Sequence, residues 1–152
     1  MSVPIRLATP DDADEVARLM IAFRDWTERS EPGDDRFRAG VRRLLDDPNT
    51  EYLLGGDPPA GVVQLRYRYG LWYDTDDCLL EDLYVADEAR GTGLGRALLE
   101  AALARARERG CARVELDVNE KNEPALALYR SAGFDSWAEL FGGRNLFMRC
   151  RL

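Results

Sequence analysis

A chain of 152 residues, 45% hydrophobic and 32% charged, has the length and balance of one globular domain, and no apolar run approaches the roughly 20 residues that a membrane-spanning helix needs. A net charge of −7 argues against nucleic acid or an anionic membrane as the main partner, because both select a basic footprint, and is permissive for a cationic small molecule. Histidine is absent, which excludes Ser–His and Cys–His nucleophilic devices and the common catalytic zinc sites, so proton transfer falls to a carboxylate, a tyrosine, a cysteine or water.

Ile5 and Leu7 mark a short strand that stops at Thr9-Pro10-Asp11-Asp12, a helix start with Thr9 as cap, proline at the first helical position and acids in the first turn. Val16, Leu19, Met20 and Phe23 then fall at helical spacing, which predicts an amphipathic helix running toward Ser30. A second helix carries Phe37, Val41, Leu44 and Leu45 and ends before Pro48. Strands are expected at Glu51 to Leu54, at Val62 to Tyr69 beyond the turn at Gly55-Gly56, and at Cys78 to Val85. A glycine loop, Gly91 to Gly95, opens a helix through Arg109 that Gly110 closes. Arg113 to Asn119 alternates as a strand, Asn122 to Ala132 reads as a helix, and two last strands are expected around Phe134 to Leu140 and Asn145 to Leu152. The order gives a single α/β (α+β) domain over residues 1–152, with a mixed, mostly antiparallel sheet of about seven strands and about four helices. Its strand–helix–strand unit from Cys78 to Asn119 should close in parallel.

The segment from Met1 to Arg6 lacks the basic-then-apolar layout of a signal peptide, which gives a cytoplasmic expectation. Cys78, Cys111 and Cys150 lie far apart and read as reduced, apolar residues rather than a disulfide frame or a metal site. Lys121 is the sole lysine, so Schiff-base chemistry would rest on it alone.

Arg90-Gly91-Thr92-Gly93-Leu94-Gly95 sits between a strand and a helix, where bare backbone amides and the helix N-terminus suit a diphosphate; a plain strand–helix connection has similar letters. Two rival phosphate motifs fail. The Walker loop needs Lys and Ser or Thr after its last glycine, where Arg96 and Ala97 stand, and the dinucleotide fingerprint needs glycine at Arg96 or Leu98. The pattern Arg/Gln-x-x-Gly-x-Gly/Ala succeeds at Arg90, Gly93 and Gly95, and with it the chain resembles the GNAT superfamily of N-acetyltransferases. Leu80-Glu81-Asp82-Leu83-Tyr84-Val85 upstream is similar to that superfamily's pantetheine-pairing strand. Asn122-Glu123-Pro124-Ala125-Leu126-Ala127-Leu128-Tyr129 with Gly133-Phe134 is similar to its downstream block, and Ile5-Arg6 with Thr9-Pro10-Asp11-Asp12 to its opening. The combination is similar to the diamine and thialysine (spermidine/spermine-type) acetyltransferases.

The resemblance implies the GNAT fold, acetyl-CoA as donor, no metal, a homodimer and direct transfer to a primary amine of a small cationic acceptor; a peptide or protein amine, or a silent acyl-CoA sensor, are the rival readings. It implies Glu81 as base, in the position that serves as base in the polyamine-type relatives, with a solvated surface charge as the alternative, and Tyr129 as acid toward the departing thiolate. Helical spacing puts Tyr129 on the face of Asn122 and Ala125. Leu83, Tyr84 and Val85 would meet pantetheine, Arg90, Gly91, Thr92, Gly93, Leu94, Gly95 and Arg96 the pyrophosphate, and Asn122, Ala125 and Tyr129 the cofactor as well. Plain alternation sets Glu81 on the side of Leu79, Leu83 and Val85, apart from Asp82; a bulge, which the family often has here, would change that. For the acceptor, Trp72 and Asp74 stand with Tyr73, Asp76 and Asp77 in a stretch that suits a cation and equally describes a polar hairpin. Trp26, Asp82 and, more remotely, Asp34 and Asp35 complete the candidates.

Overall fold

The computed structural model describes residues 3–152. The chain opens with strand β1, Ile5–Leu7, and a tight 3-10 turn, Pro10–Asp12, that leads into helix α1, Ala13–Trp26. Asp12 pins this start: its carboxylate accepts from the Thr9 amide and from both terminal nitrogens of Arg6, each at 2.8 Å. Those contacts, the Arg6 guanidinium foremost, hold the Asp12 carboxyl down at about 2. Helix α1 ends at Trp26, short of Ser30, because the Thr27 hydroxyl turns back onto the Arg24 carbonyl and Glu28 adopts a φ of 61°. Helix α2, Asp34–Leu45, has Asp34 and Asp35 in its first turn and Arg42 and Arg43 in its last, complementing the helix dipole at both ends.

The sheet is mixed and mostly antiparallel. Strands β2 (Thr50–Gly55), β3 (Gly61–Gly70) and β4 (Thr75–Val85) follow β1 in spatial order, each antiparallel to the last. Helix α3, Leu94–Glu108, then crosses to β5, Val114–Glu115, which lies parallel to β4 as the strand–helix–strand pattern requires. Alternation along the strands separates two faces. On one, Tyr52, Leu54, Val62 and Tyr84 join Val16, Leu19 and Met20 of α1 and Val41 of α2 in the core. On the other, α3 lies close: a Cβ on Gly55 would meet Leu94 Cδ1 at 2.6 Å, and one on Gly61 would meet Leu98 Cδ1 at 2.8 Å. Gly55 and Gly61 face each other across β2 and β3, so this pair of bare positions is the seat of α3. Farther along α3, Arg105 reaches Glu51 of β2 through Nε at 2.9 Å and Nη2 at 2.7 Å.

The chain divides by its contacts into two units, one ending at Leu116 and the other spanning Asp117–Leu152. The second holds helix α4, Glu123–Ser131, begun by Asn122, whose side-chain oxygen accepts from the Ala125 amide at 3.4 Å. The four expected helices all form, but the described residues hold five strands, not about seven. β5 stops at Glu115 instead of reaching Asn119. Phe134 to Leu140 and Asn145 to Leu152 form no strands, only a single antiparallel bridge between Trp137 and Arg144. Phe141, Gly142 and Gly143 stand at φ of 71°, 70° and 80°, so the chain reverses in a tight left-handed turn. Ala138 donates to Gly143 and Asn145 to Ser136, and no ladder extends from that nucleus. An isolated pair of strands is marginal without further strands or a packed face.

Candidate functional site

The register between β3 and β4 breaks at one place. Leu65 faces Leu80 and Gln64 faces Asp82, so Glu81 has no opposite number: it is the extra residue of a β-bulge. The plain-alternation side for Glu81 and its neighbours is thereby corrected. Downstream of the bulge Asp82 and Tyr84 share a face with Leu79, while Leu83 and Val85 turn to the α3 side, opposite Val63 and Gly61. Glu81 is exposed. Asp82 completes a polar row across the sheet, facing buried Gln64, which in turn faces buried Tyr52. Burial, followed by the Asp82 charge and more weakly Glu81, holds the Tyr52 hydroxyl well above its ordinary range. The register thus puts Asp82 on the α1–α2 face of the sheet, with Glu81 next to it as the bulged residue.

A bulge bends the strand that carries it. β5 parts from β4 before the bulge is reached: the parallel ladder contains Cys78 with Val114 and Leu79 with Glu115 and ends there. Among the described residues, no further strand of the sheet lies beside Leu83, Tyr84 and Val85 on that side, which is the edge expected to pair with pantetheine.

At the end of β4 a 3-10 turn, Asp87–Ala89, delivers the glycine loop. Gly91 and Gly93 take φ of 75° and 87°, and a Cβ built on either meets nothing within 4 Å. The loop thus has the left-handed turns that only glycine adopts without strain, and an open side. Gly93 is the N-cap of α3, so helix geometry aims the Gly93, Leu94 and Gly95 amides out of the first turn. This fits a diphosphate. The Thr92 hydroxyl is spent on the Ala89 carbonyl, and Arg90 turns back from the loop: its Nε donates to the Val85 carbonyl at 3.1 Å and its Nη1 meets Asp87 at 3.2 Å.

Trp26 stands at this same corner. Its ring lies 5.1 Å from the Arg90 guanidinium, and Phe23, one turn earlier on α1, stacks on Tyr84 at 5.3 Å. Trp72 and Asp74 are elsewhere. They occupy the turn joining β3 to β4, and Glu81 lies six residues along β4 from Thr75, about 20 Å at strand rise. The hairpin's carboxylates are already engaged: Asp76 pairs with Arg109, Asp77 with Arg113, and Asp74 accepts from the Tyr69 hydroxyl. The structure does not bring Trp72 and Asp74 to the bulge. Asp34 and Asp35 line a separate surface hollow with Glu31, Gly33, Arg36 and Arg38, and Asp34 pairs with Arg24.

In the second unit Tyr129 packs edge-on against Phe134 at 5.8 Å, and Asn122 caps the helix that carries Tyr129 and Ala125. Among the thiols, burial pushes Cys78 up to about 12 and raises Cys111. Sequence reasoning missed the Arg90–Trp26 contact, the Gln64–Tyr52 row behind Asp82 and the Gly55–Gly61 seat. A cross-strand register announces each of the last two, and no single segment holds it.

Comparison with known proteins extends the picture. The family described as "Acetyltransferase (GNAT) family" matches residues 15–134. An aminoglycoside N(6')-acetyltransferase type 1 from Stenotrophomonas maltophilia is 29% identical over 136 residues, covering 86% of this chain and 85% of that protein. A thialysine N-epsilon-acetyltransferase from Caenorhabditis elegans is 34% identical over 128 residues, covering 83% and 79%. The crystal structure of a candidate acetyltransferase from Arthrobacter sp. FB24 superposes with a TM-score of 0.89 at 32% identity, covering 98% of this chain and 96% of that one.

Proposed function

The chain belongs to the acetyltransferase (GNAT) family and is an acyltransferase, and on that premise we propose that it moves an acetyl group from acetyl-CoA to a primary amine of a small cationic acceptor, by direct transfer in a ternary complex. The bulge at Glu81 carries the proposal, because it sets one exposed carboxylate outside the ladder, just before the open edge of β4 and the glycine loop.

The roles follow from the chemistry. An alkylamine has a pKa near 10.4, so on the order of one molecule in a thousand is neutral at pH 7.4. Glu81 takes the excess proton, directly or through water, and Asp82 helps hold the cation. The amides of Leu83, Tyr84 and Val85 orient pantetheine, and those from Gly91 to Arg96, with Arg90 anchoring the loop, receive the pyrophosphate. When bound, acetyl-CoA supplies an acyl group already activated as a thioester. The Tyr129 hydroxyl gives its proton to the departing sulfur, and Asn122 and Ala125 are assigned to the same cofactor by their motif. Burial raises the thiols of Cys78 and Cys111, which disfavours a thiolate nucleophile at either and supports direct transfer.

Small-molecule acceptors are favoured by the relatives, whose names give an aminoglycoside and thialysine as substrates. We place the enzyme in the cytoplasm as one domain in a homodimer, to be read as twice the chain mass by light scattering. The deciding experiment is thiol release from acetyl-CoA across diamines, polyamines, thialysine, aminoglycosides, amino acids and peptides. Release with a small cationic class establishes the reading. Release with peptides alone replaces the acceptor, and a silent panel despite acetyl-CoA binding favours a sensor. In Tyr129→Phe, turnover should fall at least tenfold, and an unchanged rate across pH would remove the acid.

A further inference from the structure

We propose that Trp26 is a positioning residue of the phosphate loop and not a contact of the acceptor: its indole holds the Arg90 guanidinium, and Arg90 in turn fixes the entry to Gly91–Gly95. The inference rests on the acetyl-CoA reading above and adds a residue that lies outside the motif.

Gly91 and Gly93 have open space around them and backbone conformations that cost them nothing, so the loop has little intrinsic stiffness. Apart from the Thr92 hydroxyl on the Ala89 carbonyl, what stiffens it is its first residue. Arg90 is held by its Nε on the Val85 carbonyl at 3.1 Å, by its Nη1 on Asp87 at 3.2 Å, and by its guanidinium carbon over the Trp26 ring at 5.1 Å, with the Tyr84 ring at 6.0 Å. The Asp87 pair is solvent-exposed and contributes little by itself. The aromatic contact adds to the Val85 hydrogen bond, since a cation over an indole face is held by the ring's quadrupole. Trp26 is itself fixed, because it ends α1 and leans on Phe23, whose ring centroid is 6.1 Å away and which stacks on Tyr84 of β4. The chain Tyr84–Phe23–Trp26–Arg90 thus closes a ring of contacts from the end of β4, through the end of α1, back to the residue before the first glycine. A preorganised loop binds its anion without first having to be ordered.

The indole is 48% exposed, so its removal opens no cavity in the core. Titration calorimetry with coenzyme A as the probe, on the intact chain, reads the effect. Trp26→Ala should weaken coenzyme A about three- to fivefold, the loss expected of one exposed cation–π contact, and Trp26→Phe should recover most of it. The KM for the amine acceptor at saturating acetyl-CoA should stay within twofold of wild type. In an Arg90→Ala background, Trp26→Ala should change coenzyme A affinity no further, because the partner through which it acts is gone. The proposal is overturned by an acceptor KM that rises while coenzyme A affinity holds, by an undiminished Trp26→Ala effect in the Arg90→Ala background, or by no effect of Trp26→Ala at all. A wild-type chain that fails to bind coenzyme A removes the acetyl-CoA reading and this inference together, and that titration comes before any variant.

Discussion

If Glu81 is the base of the proposed transfer, its substitution has a signature in pH. Glu81→Gln keeps the shape and removes the proton acceptor, so kcat/KM at pH 7.4 should fall about 100-fold. The deficit should narrow as pH climbs toward the amine's own pKa near 10.4, where the acceptor arrives neutral. A loss of equal size at every pH would assign Glu81 to positioning. This residue was visible in the letters, through its place before Asp82-Leu83-Tyr84-Val85, but its orientation was not. Alternation is a local rule, and a bulge is a relation between two strands: only the register of Gln64 and Leu65 against Asp82 and Leu80 shows which residue is extra. Trp26 was legible as an aromatic near the site, and its engagement with Arg90 was hidden because more than sixty positions of chain separate them.

Among the elements, the N-terminus of α3 gives a backbone test. At Gly93 the φ of 87° penalises any Cβ, and because nothing crowds the position the cost is conformational alone, about 1–2 kcal/mol. Gly93→Ala should lower the melting midpoint by a few degrees and weaken coenzyme A, checked by calorimetry. The junction of β1 with α1 gives a pH test. Asp12 has a folded pKa depressed to about 2 against an ordinary value near 3.9, so its contribution is complete above about pH 4 and is lost as pH falls through 2. Asp12→Asn should flatten the acid limb of stability between pH 4 and pH 2, and thermal melts across that window would show it. Capping letters and periodicity located this junction and all four helices, since those signals are carried by neighbours in sequence. The last two expected strands failed for the opposite reason. A strand exists only if a partner pairs with it, and from Phe141 to Gly143 the chain commits to a turn that yields one bridge.

At the scale of the whole molecule, a net charge of −7 without a basic patch of lysines sets the long-range field. For a cationic acceptor, raising ionic strength from about 0.05 to about 0.5 M should lower kcat/KM several-fold, with a neutral-pH amine of lower charge affected less. Steady-state rates over a salt series would reveal a flat response if encounter is not steered. Composition foretold this field, excluded the histidine devices and argued against nucleic acid, whereas the two-sided sheet, with α3 seated on Gly55 and Gly61, emerges only when strands are placed side by side. The same placement shows how little the architecture asks of Glu81. Excising that one residue would leave Asp82, Leu83, Tyr84 and Val85 opposite Gln64, Val63, Val62 and Gly61 as now, and would knit β3 and β4 into an unbroken ladder. The shortened protein should fold and melt no lower than its parent, yet lose at least the 100-fold in kcat/KM expected of Glu81→Gln. On the proposed mechanism, the one residue that the ladder leaves unpaired is the one that the reaction uses.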